Sequence, residues 1–506
     1  MKRSVFLFLL LFSASLAAQK IPAFVTDSLD GYMERALKQW NLPGVAIAVV
    51  KDGKVILAKG YGVREIGQPG KVDENSLFMI ASCTKAFTAT ALAMLESEKK
   101  MALDQPVSQW LGDFRLYDSL AGKQCAVRDL LCHRLGFGTF QGDFIHWDSD
   151  LSRKEIIRQM AKYEPKYGFR AHFGYCNAAF TAAGQIIPEV TSGIPWDDFV
   201  RTRFFEPLGM SRTTTQHKYI ISDANACRPH TRIDGKEQVF AYDNVDNLGP
   251  AASINSCVND LSKWVLMQLD SGRFNGKKIV PFDVLQETRA PQIMMENNAP
   301  LFPSTHFNAY GLGWFLRDYS GRKIIWHDGG AGGFLSNITI VPEERLGFVI
   351  LTNSDNNAIF EALHHQLLDA FFGNPYRNYS NIYQKWQSAQ VKNQDADLKK
   401  SKELVAKKKT PPVPLKAFAG TYSNLLYGTI SIEEKNGVLV MSMQHHPKIG
   451  AILEYRDGNT LLCTYKNPVF GIRVTPFEIA DKKLRSVTLS ANEFLDYGTY
   501  EFVKQE

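Results

Sequence analysis

The chain has 506 residues, of which 45% are hydrophobic and 22% charged, with a formal net charge of +6. This is ordinary for a globular protein with a sizeable core. The excess charge is local: Lys2 and Arg3 carry two units, and seven lysines against three acids between 392 and 409 carry four, so the remainder is neutral and offers no basic face to nucleic acid.

Met1-Lys2-Arg3, an apolar run over 5–12 and the small residues 13–18 read as a signal peptide cut near Ala17 or Ala18. The run is too short to be a transmembrane segment, which predicts a periplasmic or secreted protein. β-rich runs at 44–50 and 55–61 flank Asp52-Gly53, a strong hairpin signal.

The apolar run 78–81 then delivers Ser82-Cys83-Thr84-Lys85, followed by an apolar helical stretch over 86–95. That context puts a hydroxyl at a helix start and an amine one turn later on the same face, as a serine activated by lysine requires. Ser-x-x-Lys also occurs at Ser97 and Ser320. Ser97 reads as an exposed helix end, and Ser320-Gly321 as a hairpin turn between β-like runs. The bland alternative for Ser82 is an N-capping serine followed by a snorkelling lysine.

A serine–lysine nucleophile also needs a proton relay, a second oxyanion donor beside its own N–H, and a strand edge for the substrate backbone. Tyr175-Cys176-Asn177, ahead of an apolar helical run over 178–187, is the candidate relay segment. His327-Asp328-Gly329-Gly330, at the end of a β run, is the candidate strand, and its glycines let another backbone come close. The competing readings are a buried structural tyrosine and a solvent-facing strand histidine. A second His-x-Gly, His172-Phe173-Gly174, has no strand around it, and no Gly-x-Ser-x-Gly elbow occurs.

β character returns at 323–326, 335–341 and 346–352, so the two ends of residues 22–375 are expected to build one antiparallel sheet flanked by helices, with the middle as an all-helical lobe: an α+β fold. Residues 376–414 read as a charged, proline-containing linker, helical in part. Six β-like runs between 428 and 503 make 415–506 a small all-β domain, a barrel or half-barrel. Seven cysteines, odd in number and sparse, read as mostly buried free thiols rather than a disulfide scaffold, and neither a metal site nor a cofactor is expected.

Ser-x-x-Lys, Tyr-x-Asn and His-x-Gly in that order resemble the β-lactamase-related serine hydrolases: class C β-lactamases, DD-peptidases, D-aminopeptidases and CubicO-type esterases. Asp129-Leu130-Leu131-Cys132-His133-Arg134, Phe199-Val200 with Pro207-Leu208-Gly209-Met210, and Tyr310-Gly311-Leu312-Gly313-Trp314 match as well. Phe418-Ala419-Gly420-Thr421-Tyr422 resembles the lipocalin-like β-domain often appended to such enzymes. The resemblance implies Ser82 as acylated nucleophile, Lys85 as general base or its partner and Tyr175 as proton relay. It implies that Asn177 binds the acyl side of the substrate, and that the N–H groups of Ser82 and Gly330 form the oxyanion hole. Which of Lys85 and Tyr175 takes the first proton stays open.

The chain departs from true β-lactamases in having His327-Asp328-Gly329 where they carry Lys-Thr-Gly or Lys-Ser-Gly. A mostly neutral histidine weakens any requirement for a substrate carboxylate and points to esters or small, D-amino-acid-containing peptides. Leu135 stands where relatives often have serine. The alternatives are a β-lactamase or DD-carboxypeptidase and, in another class, a retired scaffold that binds a ligand. Oligomeric state is not legible.

Overall fold

The computed structural model describes residues 21–296 and 305–506; the expected signal peptide lies outside the described residues. Asp52 and Gly53 both take positive φ (51° and 77°), turning β1 (Gly44–Lys51) into β2 (Lys54–Gly62) with Lys51 opposite Lys54. The rest of the sheet comes from the far side of the helical insertion: β3 (Ile293–Met295), β4 (Asn308–Tyr310), β5 (Phe315–Tyr319), β6 (Arg322–Ala331), β7 (Phe334–Val341) and β8 (Leu346–Thr352). The order is β2-β1-β8-β7-β6-β5-β4-β3, with every pairing antiparallel. β1 thus pairs with β8, and the sheet brings the two ends of residues 44–352 together.

Both faces of the sheet are covered, so β1, β7 and β8 are buried at every position. Val45, Ile47 and Val49 pack with α1 (Leu29–Trp40), while Ala46, Ala48 and Val50 join the core of the helical lobe. The buried centre of that lobe is α2 (Thr84–Ser97), whose residues 84–95 are all inaccessible. α3 (Asn177–Val190) packs beside it, and α4 (Val258–Leu269) lies against β1 and β8. α5 (Ile359–Phe372) lies on the α1 face.

The stretch expected as a linker contains a 28-residue helix, α6 (Tyr379–Ala406). Its one face with few apolar residues explains why it read as a spacer. After it, β9 (Gly420–Asn424), β10 (Gly428–Lys435), β11 (Val438–Met443), β12 (Gly450–Asp457), β13 (Thr460–Tyr465), β14 (Ile472–Ala480), β15 (Lys483–Ser490) and β16 (Thr499–Lys504) form a closed up-and-down barrel. Closure removes the edges an open sheet would expose. All seven cysteines are buried and unpaired, as expected for a fold whose core does not need staples. No helix among the described residues is long and apolar enough to cross a membrane.

The barrel is not loosely tethered. Phe144, in the short helix Asp143–His146, packs into an aromatic cluster of Tyr427, Tyr465, Phe470 and Tyr500, with ring centroids 5.1–6.3 Å away. Phe144 is fully buried. Phe144→Ala is expected to cost about 3–4 kcal/mol, read as a lower urea midpoint; an unchanged midpoint would show that this contact does not hold the barrel.

Candidate active site

Two residues, Phe78–Met79, pair with Asn255–Ser256 and carry the chain into a 3₁₀ turn, Ala81–Cys83, from which α2 continues. Ala81 sits at φ 44°, the kind of backbone strain that collects where a side chain must be presented. Ser82 is partly accessible while both neighbours are buried. One turn on, Lys85 is fully buried. Its Nζ is 3.0 Å from Ser82 Oγ, 2.6 Å from Asn177 Oδ1 and 3.0 Å from the Ala251 carbonyl.

Burial is the main cause that brings the Lys85 amine down to about 7, against a smaller opposing pull from the Asp143 carboxyl. Burial likewise pushes the Tyr175 phenol well above its ordinary range, so it is neutral near pH 7, although its hydrogen bond with Ser82 works the other way. The amine lies 4.6 Å from the centre of the Tyr175 ring. The three motif residues therefore meet at one point, with Ser82 between a lowered amine and a neutral phenol.

Tyr175 is held from behind. The His133 ring stacks on it at 4.2 Å, His133 Nδ1 accepts the Cys176 N–H at 3.0 Å, and the Tyr175 carbonyl accepts the Phe140 N–H at 2.8 Å. Asn177 opens α3, and its Nδ2 donates to Asp143 Oδ2 at 2.6 Å.

β6 provides the opposite wall. β5 pairs with it only as far as Trp326, so His327 to Ala331 continue with β7 on one side and, among the described residues, no partner strand on the other. Gly329 is required here: a Cβ would lie 2.2 Å from the Ile80 carbonyl oxygen and 3.0 Å from the Ser82 nitrogen. Gly330, the next residue, lies under the Phe494 ring, 3.0 Å from where its Cβ would be. Gly313 in turn backs the Lys85 turn of α2, with φ 72° and room for no side chain against the Lys85 carbonyl.

His327 is buried, not solvent-facing, and burial lowers it to about 3. Neutral, it donates from Nδ1 to the Asp328 carbonyl at 2.6 Å and accepts the Tyr310 hydroxyl on Nε2 at 2.9 Å. Both ring nitrogens are thus taken by the protein. His172, the rival His-x-Gly, lies in a loop and stacks on Tyr167. Ser97 ends α2 in an exposed position, and Ser320-Gly321 turn β5 into β6.

Four further residues contribute to the site: His133 and Tyr310 lie in segments that match the family but carried no assigned role, and the Ala251 carbonyl and Asp143 have no motif to announce them. The Ala251 carbonyl comes from the short helix Gly249–Ala252, more than 160 residues from Lys85 in sequence. The barrel contributes too. In the segment 491–498, Phe494 touches Gly330, and Tyr497 stacks on Phe140 at 5.8 Å, itself edge-on to Tyr175 at 5.5 Å. One barrel segment therefore reaches both walls of the site.

A partly accessible serine beside a buried amine, set between a helical lobe and an antiparallel sheet, is the arrangement of the β-lactamase-fold serine hydrolases. The Beta-lactamase family model matches residues 29–370, and the chain belongs to that family. It is similar to an unguisins hydrolase of Aspergillus violaceofuscus, 27% identical over 435 residues, covering 80% of this chain and 76% of that one. Its fold matches the octameric penicillin-binding protein homologue from Pyrococcus abyssi with a TM-score of 0.61 at 21% identity, over 95% of this chain and all of that one. It also matches the D-amino acid amidase from Ochrobactrum anthropi, TM-score 0.54 at 22% identity, over 68% of this chain and 97% of that one.

Proposed function

We propose that the protein is an exported hydrolase that forms an acyl-enzyme on Ser82 and acts on esters or on small amides and peptides, including those of D-amino acids. The observation that carries this reading is the environment of Lys85. A neutral amine has two hydrogens and one lone pair. Asn177 Oδ1 and the Ala251 carbonyl accept hydrogens, which leaves the lone pair for Ser82 Oγ. Lys85 rather than Tyr175 then takes the first proton, because at pH 7 about half of Lys85 is free base while Tyr175 is a neutral phenol.

In that scheme Ser82 Oγ bonds to the acyl carbon as its proton passes to Lys85. The Ser82 and Gly330 N–H groups receive the oxyanion. Tyr175 hands a proton to the leaving alkoxide or amine and is reprotonated from Lys85. Water repeats the sequence against the acyl-enzyme. Asn177 Nδ2 keeps one N–H beyond that given to Asp143 for the acyl side of the substrate, and the unpaired edge of β6 beyond Trp326, with Gly329 close beneath, receives the substrate backbone. Residues 22–375 are assigned as the hydrolase domain, 376–414 as the connection and 415–506 as the barrel domain, with 1–18 as the export signal.

Three observations support small, uncharged-end substrates. His327, where β-lactamases place lysine, is neutral and fully engaged. The barrel segment 491–498 touches both walls. The similar proteins include a D-amino acid amidase and an unguisins hydrolase. A fluorophosphonate probe and a panel of p-nitrophenyl acetate and butyrate, D-amino-acid amides and nitrocefin test the reading. Labelling at Ser82 with ester or amide turnover is expected. No labelling and no turnover would make the protein a ligand-binding scaffold, and rapid nitrocefin hydrolysis would make it a β-lactamase.

A further inference from the structure

Asn177 is held at both ends of its amide. Lys85 Nζ at 2.6 Å demands the oxygen, and Asp143 Oδ2 at 2.6 Å demands the nitrogen. Flipping the amide would turn its N–H₂ toward the Lys85 amine and its carbonyl oxygen toward Asp143 Oδ2, so both present hydrogen bonds would be lost; burial raises the Asp143 carboxyl well above its usual range, and the orientation therefore rests on Lys85 and Asp143 together. Without Asp143 the Asn177 nitrogen would be a donor buried without this acceptor, and the cost of that burial would be met by rotation of the side chain away from Lys85.

Asp143 is itself clamped from the barrel. Asp496 Oδ2 accepts the Gly142 N–H at 3.2 Å and the Phe144 N–H at 3.1 Å, the two amides that flank Asp143, and the Tyr500 hydroxyl at 2.6 Å. Asp496 Oδ1 accepts the Gly498 N–H at 2.6 Å. Four donors hold this carboxyl in a buried position. A continuous path of hydrogen bonds and one short helical turn therefore runs from the barrel through Asp496, Asp143 and Asn177 to Lys85 Nζ and Ser82 Oγ.

We propose that Asp143 is a positioning residue of this site, which orients the Asn177 amide and through it the Lys85 amine, and that the barrel holds Asp143 in place through Asp496. The proposal rests on the serine-hydrolase reading above. It gives the barrel a role in catalysis that is separate from limiting substrate size: the domain completes the support of the general base.

The test is a mutant cycle in the full-length protein, read by p-nitrophenyl ester kinetics. Asp143→Leu removes the acceptor and is expected to lower kcat about 100-fold, the scale of a displaced catalytic group, with KM within about threefold. Asp143→Asn keeps an acceptor oxygen and is expected to retain activity within about tenfold. In an Asn177→Ala background, measured above pH 8 where the charge of Asp143 on the amine no longer limits the rate, Asp143→Leu should add less than about threefold, because its hydrogen-bonded route to Lys85 is gone. Asp496→Ala should lower kcat about tenfold, and less so once Asp143 is Leu.

Equal losses from Asp143→Leu in both backgrounds, equal losses from the Leu and Asn variants, or full activity of Asp143→Leu would overturn the proposal. If the Leu variant does not fold, as judged by its thermal transition, the near-isosteric Asn variant decides: its smaller loss must vanish in the Asn177→Ala background, and persistence there rejects the proposal. A parent protein that neither labels with fluorophosphonate nor loses turnover on Ser82→Ala rejects the hydrolase reading itself, whereas a labelled, active parent with an indifferent Asp143 rejects only this inference.

Discussion

Ser82→Ala is expected to reduce turnover of p-nitrophenyl acetate or butyrate by on the order of 10⁴-fold or more and to abolish fluorophosphonate labelling, while leaving the thermal transition near that of the parent. The size of the loss follows from what remains. Without Oγ there is no covalent intermediate, and the Lys85 amine faces a methyl group instead of an O–H. The oxyanion donors and the cleft would persist, so a small residual rate over water is compatible with the reading. Stability is expected to change little because Ser82 is partly accessible and its Oγ serves only the amine and the phenol. Retention of the parental rate would place the nucleophile elsewhere.

The second large effect concerns Lys85. Its amine is lowered to about 7 by burial, and the protonated form cannot accept the Ser82 proton. The free enzyme should therefore lose kcat/KM tenfold per pH unit below about 7 and reach a plateau above it. Lys85→Arg preserves the positive charge but never supplies a free base near neutrality, and it brings a bulkier head into a fully buried position. A loss of about 10³–10⁴-fold is expected, with no recovery up to pH 9. A parental pH profile with no acid limb between pH 5 and 8, or an active arginine variant, would exclude the lysine as the base. The Asp143 carboxyl opposes the burial effect on Lys85, so the position of the limb also reports on the support of the amine.

Local rules accounted for much of the fold. Asp52-Gly53 and Ser320-Gly321 turned as read, because both positions of each turn take positive φ, which these residue types tolerate. The three motifs converged, with Ser82, Lys85, Tyr175 and Asn177 of the first two in one hydrogen-bonded cluster and Gly329 of the third against the Ser82 backbone. Two barrel strands went unread. β9 is Gly420-Thr421-Tyr422-Ser423-Asn424, turn residues by composition, and it is a strand because β10 and β16 pair with it. β12 ends in Glu454-Tyr455-Arg456-Asp457, whose polar side chains suit a strand with one wet face but mask the alternation.

His327 shows the same limit at the site. Its place at the end of a β run was legible, but the choice between a solvent-facing residue and a buried one depends on Tyr310 and the helical lobe closing over it. Asp143 had no signature at all. An aspartate after glycine at the start of a short aromatic-rich stretch carries no chemical signature, and only the approach of Asn177 from 34 residues away makes it part of a site.

The sequence by itself determined the helix that follows Ser82, the order of the motifs, the α+β arrangement and the presence of an all-β C-terminal region, since each follows from spacing, periodicity and turn chemistry within a short window. Tertiary structure alone decided how deeply the site's titratable groups are buried and where the barrel meets the lobe. Burial, which no local window reports, brings Lys85 to about 7 and His327 to about 3. The reach of Asp496 to the Gly142 and Phe144 amides spans more than 350 residues of chain, a contact fixed by packing of the barrel against the lobe and by nothing in the local sequence on either side.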